Sequence, residues 1–282
     1  MKVFKYKSNV EKEINSLKKE KKTIGLVPTM GALHKGHLSL VEIALSNNDF
    51  VFVSIFVNPT QFNNQNDLLK YPRTLEKDLE LLNTLSNKIK VFAPSIEDIY
   101  DKNVNAVKYN FDGLENEMEG EFRESHFDGV GTIVKQLLEI IRPDNAYFGE
   151  KDFQQLQIIK KLVEKFQIPV NIVGCKIYRE PSGLAMSSRN TRLKPEHKMA
   201  APLIYKTLLT AKKKFGTKSA NLVTEWVNKQ FDNHKLLKLE YFKIADVNTL
   251  KEIKRKSSKK KYRAFIAVYA DDVRLIDNIA LN

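Results

Sequence analysis

The nine residues DFVFVSIFV (49–57) constrain the fold more than any other stretch of the chain. They are β-branched and aromatic, and apolar on both faces, as in a strand covered on both sides at the centre of a parallel sheet. Parallel neighbours need long crossover connections, so helices should lie between the strands. The first two-thirds of the chain supplies that alternation. TIGLVPT (23–29), KVFAP (90–94), NAYFGE (145–150) and PVNIVGCKI (169–177) read as further strands. HLSLVEIALS (37–46), TLEKDLELLNTL (74–85), GVGTIVKQLLEII (129–141) and DFQQLQIIKKLVEKF (152–166) read as helices. The expected fold is α/β, a Rossmann-like parallel sheet with helices on both faces.

The last third changes character. Helical stretches at 195–215 and 219–231 precede two strands, LKLEYFKIAD (237–246) and YRAFIAVYA (262–270), an α+β pattern. Two domains are therefore expected, residues 1–177 and a smaller C-terminal domain of residues 178–282, packed closely with a cleft between them.

Composition narrows the function. The longest strongly apolar stretch, Phe50 to Val57, falls far short of the roughly 20 residues that span a bilayer. No apolar block follows the charged N-terminus, so no secretory leader is expected. The single cysteine, Cys175, has no partner for an internal disulfide. A cytoplasmic protein is the expectation. The 47 basic and 34 acidic residues leave a net charge of +13, much of it in short lysine runs. The densest run, KRKSSKKK at Lys254–Lys261, holds six basic residues in eight and no aromatic platform. It reads as a solvated, mobile loop rather than a nucleic-acid surface.

In an open parallel sheet, ligands bind beyond the carboxyl ends of the strands, and four segments fall there. PTMGALHKGH (Pro28–His37) joins the first of these strands to the first helix. Gly31 and Gly36 permit close backbone approach, and His34 and His37 face one side if the turn is already helical. The helix start beneath them should offer free backbone N–H groups and a positive dipole end, which favour phosphate. Two imidazoles there would stabilise charge on a transferring phosphate group. The bland alternative is a strand–turn–helix with two incidental histidines. Zinc is not expected, since no further His or Cys cluster supplies ligands. FVNPTQF (Phe56–Phe62) offers Asn58 and Gln61 for a hydroxyl or carboxylate, although NPTQ alone is an ordinary turn. In FGEKDFQQL (Phe148–Leu156), Gly149 ends a strand, Asp152 can cap the next helix, and Lys151 and Gln155 would point into the cleft. REPSGLAMSSRN (Arg179–Asn190) reads as a flexible loop whose Ser187, Ser188 and Arg189 could clamp a triphosphate, or equally as a polar surface turn. Their joint placement points to a phosphate-handling enzyme.

In this order and at these separations, the four segments resemble the pantothenate synthetases (pantoate–β-alanine ligases). The likeness runs from about Gly25 to RLIDN at Arg274–Asn278. The first and last segments hold the places of the HIGH and KMSKS signatures of the wider nucleotidyltransferase superfamily. The resemblance implies ATP-dependent condensation of (R)-pantoate with β-alanine through a pantoyl-adenylate. Met30, Gly31, Ala32, Leu33, His34, Lys35, Gly36 and His37 would line the nucleotide site, with both histidines on the phosphates and His37 as proton donor. Gly149, Glu150, Lys151 and Asp152 would meet the adenosine, Lys151 also reaching the phosphates. Tyr178 would offer backbone contacts to adenine, and Met186, Ser187, Ser188 and Arg189 would close over the phosphates. His37, His34, Lys151 and Arg189 form the implied catalytic set. Gln61 would hold pantoate and later β-alanine, Gln155 would hold pantoate, and Asn58 would lie nearby. Mg2+ would arrive with ATP, bound mainly by phosphate oxygens. A homodimer formed through the N-terminal domain is implied, with small molecules rather than nucleic acid or membrane as the other partners.

Two departures stand out. Ser182 occupies a position where the family usually carries Asp, and Glu124-Ser125 replaces the usual Pro-Gly between Arg123 and His126. Two other readings stay open: a nucleotidyltransferase of the same superfamily acting on another acid or phosphate, and an RNA-binding protein that uses the positive charge.

Overall fold

The computed structural model describes residues 1–63, 65–101 and 103–282. The chain divides into two compact units. The first comprises Met1–Glu115, Glu119–Glu150 and Gln155–Lys176; the second comprises Asn116–Met118, Lys151–Gln154 and Ile177–Asn282.

The first unit opens with β1 (Lys2–Phe4), α1 (Lys7–Lys19), β2 (Ile24–Thr29), α2 (Lys35–Asn47) and β3 (Phe50–Ile55). Then follow α3 (Gln65–Lys70), α4 (Leu75–Asn83), β4 (Ile89–Phe92), α5 (Ile96–Tyr100), α6 (Glu119–Phe122) and α7 (His126–Ile141). It closes with β5 (Asn145–Gly149), α8 (Phe153–Phe166) and β6 (Asn171–Cys175). The six strands form one sheet in the order β1-β4-β3-β2-β5-β6, every pair parallel. The α/β expectation holds. Val51, Phe52, Val53 and Ser54 of β3 are all buried, because helices cover both faces. α2 lays Leu40, Val41 and Ala44 against Val27, Val51, Val53 and Val91 of the sheet. α7, longer than the predicted 129–141 helix, buries Phe127, Val130, Ile133, Val134, Leu137 and Ile141.

β1 and α1 were not foreseen. β1 is a three-residue edge strand, and α1 buries only Val10, Ile14 and Leu17 among charged neighbours, so both carry a weak apolar signal.

In the second unit, α9 (Pro195–Ala200), α10 (Leu203–Thr217) and α11 (Ala220–Phe231) precede an antiparallel sheet of β7 (Lys238–Asp246), β8 (Tyr262–Ala270) and β9 (Val273–Ala280). The single helix predicted over 195–215 is two helices. Pro202 lacks the N–H that would continue the hydrogen-bond ladder, and Ala201 caps the first piece. β9 escapes the strand pattern because Asp277 and Asn278 interrupt its apolar residues, yet both are buried. The core joins Ile204, Leu208 and Ala211 of α10 to Val223 and Val227 of α11 and to Ile244, Ala264, Ile266 and Val268 of the sheet.

The Lys254–Lys261 run is exposed throughout, as expected, but it is not slack. Lys256 donates to the Phe215 carbonyl and lies 3.9 Å from the centre of that ring. Lys260 pairs with Asp246 at 3.2 Å, and the Ser257 amide donates to the Tyr262 hydroxyl at 2.7 Å.

Candidate active site

Sheet order reverses at β2. From there the chain proceeds to β3 and β4 on one side and returns to β5 and β6 on the other. The crevice beyond the carboxyl ends at such a reversal is where open α/β sheets bind ligands. The turn after β2 carries the histidines, and β5 ends at Gly149 beside it.

That turn is built from unusual backbone. Gly31 has φ +81° and Ala32 has φ +49°, consecutive left-handed residues. The Gly31 amide bonds the Thr29 hydroxyl at 3.2 Å, and that hydroxyl donates to the Ser54 carbonyl at 2.8 Å, tying the turn to β3. Asp78 of α4, fully buried, accepts from the Ala32 amide at 2.9 Å and the Leu33 amide at 2.7 Å.

His34 caps α2. Its Nδ1 accepts from the Gly36 amide at 3.1 Å, and its carbonyl accepts from the His37 amide at 2.8 Å. An Nδ1 that accepts carries no proton, so the His34 ring bears its hydrogen on Nε2. The His34 and His37 rings stack with centroids 4.0 Å apart and planes inclined by 23°. The three-residue spacing does bring both imidazoles to one side. Four of the amides around this helix start are already engaged: those of Ala32, Leu33, Gly36 and His37 have partners within the protein. The capping side chain and a distant carboxylate reached them first.

Asn58 and Gln61 belong to one network. Asn58, 1 % exposed, donates from Nδ2 to Gln61 Oε1 at 3.2 Å and to the Gly129 carbonyl at 3.1 Å. Its Oδ1 accepts from the Tyr100 hydroxyl at 2.5 Å and the Thr60 hydroxyl at 3.1 Å. Every strong hydrogen-bonding position of Asn58 is thus occupied by protein, one of them by the Gln61 side chain. Gln61 Nε2 points at the Met30 sulfur, 2.9 Å away. Its carbonyl is held by His126 at 2.8 Å and Arg123 at 3.3 Å. The start of α7 presses directly on this turn: a Cβ at Gly129 would sit 2.3 Å from the Thr60 carbonyl oxygen. Arg123 therefore keeps a structural task despite Glu124-Ser125, although Ser125 must adopt φ +56°. Gln155, on the first turn of α8, is half-buried.

Lys151 and Asp152 lie in the 3-10 turn before α8, with their side chains 3.5 Å apart. Asn278 Nδ2 donates to the Lys151 carbonyl at 2.9 Å. Further along this second unit, Tyr178 is exposed and its carbonyl accepts from the Met186 amide at 3.0 Å. The segment 179–190 is not the flexible loop its composition suggests. Arg179 pairs with Ala185 in a short antiparallel bridge, and Asn190 donates to Glu180 at 2.8 Å and the Ala185 carbonyl at 3.1 Å. Ser187 caps the turn Ser188–Arg192 by accepting from the Arg189 amide at 3.3 Å, and Ser188 is buried. Of the proposed clamp, Arg189 is the member with charge to offer.

Beneath the segment, Arg179 grips the buried Asp277 through two hydrogen bonds of 2.6 and 2.9 Å while stacking 3.6 Å over the Tyr205 ring. Burial pushes the Asp277 carboxyl above its ordinary range, against the pull of Arg179. Asp78, Tyr100, His126 and the Arg179–Asp277 pair were all missed from sequence. Two of them left a trace. Asp78 falls on the Leu75–Leu82 face of its helix, and Asp277 falls in step with Val273 and Leu275, both core positions for a charge. Among the described residues, no cluster of His, Cys, Asp and Glu could hold a metal ion.

Known proteins match nearly the whole chain. The family model for pantoate-beta-alanine ligase matches residues 2–280. A pantothenate synthetase of Flavobacterium psychrophilum is 57% identical over 279 residues, covering 99% of each chain. Among solved structures, the pantothenate synthetase of Thermus thermophilus superposes with a TM-score of 0.91 at 35% identity, over 100% of this chain and 99% of that one. The pantoate-beta-alanine ligase of Francisella tularensis, complexed with beta-gamma ATP and beta-alanine, gives a TM-score of 0.80 at 38% identity, over 100% and 98%. With its parallel sheet, its paired histidines and all four motif segments inside the matched span, the chain belongs to the pantoate-beta-alanine ligase family.

Proposed function

We propose that this ligase condenses (R)-pantoate with β-alanine in two half-reactions, with ATP·Mg2+ as substrate. First, a pantoate carboxylate oxygen attacks the α-phosphorus of ATP. The new O–P bond forms as the bond to the bridging oxygen breaks, releasing pyrophosphate. Next, the β-alanine nitrogen attacks the carbonyl carbon of the adenylate. The C–N bond forms, the C–O bond to AMP breaks, and the nitrogen sheds its proton.

The observation that carries this reading is the stacked His34–His37 pair at the start of α2, beyond β2 and beside the end of β5. His34, with Nδ1 engaged by the Gly36 amide, keeps its proton on Nε2, and His37 adds a second imidazole for charge building on the leaving pyrophosphate. Gln61 presents an amide N–H to the pantoate carboxylate or hydroxyl and later to β-alanine, with Gln155 as a second pantoate contact. Met30 to Gly36 line the nucleotide, as do Gly149 to Asp152 and the backbone of Tyr178. Lys151 and Arg189 supply cationic charge to the phosphates, with Met186, Ser187 and Ser188 shaping that end. Mg2+ is held by phosphate oxygens. We assign a homodimer formed by the first unit and a cytoplasmic location, to which a single buried thiol is suited.

Pyrophosphate–ATP exchange decides the matter. Exchange that requires pantoate but not β-alanine, with pantothenate and AMP formed once β-alanine is added, is the expected result. Exchange driven by another acid, or by none, would move the protein to a different reaction of the superfamily.

A further inference from the structure

We propose that Asp78 is the positioning residue of the histidine turn, the buried anchor that fixes where α2 begins and so where both imidazoles point. This rests on the reading of His34 and His37 as phosphate-facing groups.

A tight turn can direct successive backbone N–H groups toward one point, a concavity that binds an anion. Gly31 and Ala32 make such a concavity, and the anion in it belongs to the protein. One oxygen of Asp78 serves each amide: Oδ2 takes Ala32 and Oδ1 takes Leu33. The Thr74 hydroxyl, one helical turn earlier in the chain, donates to Oδ1 at 3.2 Å and orients the carboxylate from its own side. Asp78 is 1 % exposed on a helix face shared with the buried Leu82. A carboxylate there gives up its water, a cost that its hydrogen bonds must offset. Its oxygens are spent on a turn 45 residues away.

The fit is close on the loop side too. A Cβ at Gly31 would lie 3.1 Å from Asp78 Oδ2 and 3.1 Å from the Ile55 side chain. Ala32, at φ +49°, holds a conformation that a residue with a Cβ keeps only when its surroundings impose it. The next residue after the two anchored amides is Leu33's neighbour His34, which caps α2 and stacks on His37. The chemical consequence is specific. The Ala32 and Leu33 amides are already filled by an internal anion, which closes those two to phosphate and leaves more of its charge to the imidazoles and cationic side chains.

Asp78→Asn keeps the shape but leaves one oxygen for two N–H groups, and its amide nitrogen confronts the other. We expect kcat for pantoate-dependent pyrophosphate–ATP exchange to fall about 10- to 100-fold and KM for ATP to rise several-fold. The pantoate KM should stay within about threefold, a split that a mere loss of folded protein would not produce. Thr74→Ala, which leaves both amide contacts in place, should change kcat by less than about threefold. In the wild-type protein without ATP, the Ala32 and Leu33 amides should be protected from hydrogen exchange. A folded Asp78→Asn enzyme with near-wild-type kcat and ATP KM would overturn the proposal. So would fast-exchanging Ala32 and Leu33 amides in the wild type, a measurement that decides even if the variant does not fold. Absence of pantoate-dependent exchange in the wild type would instead sink the functional reading, and protected amides in that same protein would leave the anchoring role standing.

Discussion

Asn58 donates from Nδ2 to Oε1 of Gln61 across 3.2 Å, and it can do so in one orientation alone. The Gly129 carbonyl on its other side only accepts, so the Asn58 nitrogen must face it, and the two hydroxyls of Tyr100 and Thr60 then meet the oxygen. With its own oxygen held, Gln61 is left presenting N–H. Its present acceptor, the Met30 thioether, is weak and readily exchanged for a carboxylate oxygen. Gln61→Ala should therefore raise the pantoate KM or lower kcat/KM for pantoate far more than it alters ATP binding. Tyr100→Phe, one step back in the chain of contacts, should lower kcat/KM for pantoate about 2- to 10-fold. Equal effects on both substrates in steady-state kinetics would mean that these residues act through the fold.

His37 is tested by removal. If it stabilises charge on the departing pyrophosphate, His37→Ala should slow adenylation by about two to three orders of magnitude with an unchanged far-UV spectrum. Rapid-quench measurement of the first half-reaction reads this directly, and a rate near wild type would take His37 out of the chemistry.

How much of this was legible beforehand follows from where each signal lies. The β3 stretch announced a parallel sheet because it sets seven apolar residues around Ser54 with no polar face, which suits a strand covered on both sides. The histidine, NPTQ, EKD and SSRN segments announced themselves because each combines glycine or proline with reactive side chains in a short span. The supports did not. Asp78, Tyr100 and His126 act on residues 45, 42 and 65 positions away, respectively, and no local pattern encodes such a pairing. Pro202 is a legible helix break. The β9 strand was hidden by the very residues, Asp277 and Asn278, that it places inside the second unit.

Ser125 offers a gain of stability. It caps α7 without any side-chain hydrogen bond while held at φ +56°, a conformation that costs a residue with a Cβ about 1–2 kcal/mol. Glycine avoids that cost but loses about 0.5–1 kcal/mol in chain entropy. Ser125→Gly should stabilise the protein by about 0.5–1 kcal/mol, read as a higher urea midpoint at unchanged slope.

Cys175 should be inert. Burial, and secondarily the charge of Glu150, push its thiol up to about 11. A disulfide reagent at pH 8 should label it only as the protein unfolds. The sign for stability follows. Between pH 9 and 11 the unfolded thiol has lost its proton and the folded one keeps it, so this group's contribution to stability falls as pH rises. Rapid labelling of the folded enzyme at pH 8 would contradict the burial.

The basic run can be thinned without harm. Replacing Lys254, Arg255, Lys259 and Lys261 by serine or glutamine leaves the contacts of Lys256 and Lys260 in place. At physiological salt, where exposed charges are screened over about 8 Å, kcat should be unchanged. At low salt a modest loss of kcat/KM for ATP is expected, as long-range attraction weakens. A large fall in kcat at physiological salt would put these side chains at the reacting groups.

The strand order also dictates when the sheet can close during synthesis. β1 finds its partner only after residue 92 has been made, yet from that moment four adjacent strands, β1-β4-β3-β2, can assemble. The far side of β2 must then wait for residues 145 and 146. Until they emerge, Ile24 to Val27, an almost wholly apolar strand, borders a nascent sheet with one side unclaimed. An open, uncharged edge of that kind invites pairing with another chain. The same reversal of strand order that creates the crevice for catalysis thus makes the half-built protein sticky, and leaves its yield in the cell dependent on how quickly the second half of the sheet arrives.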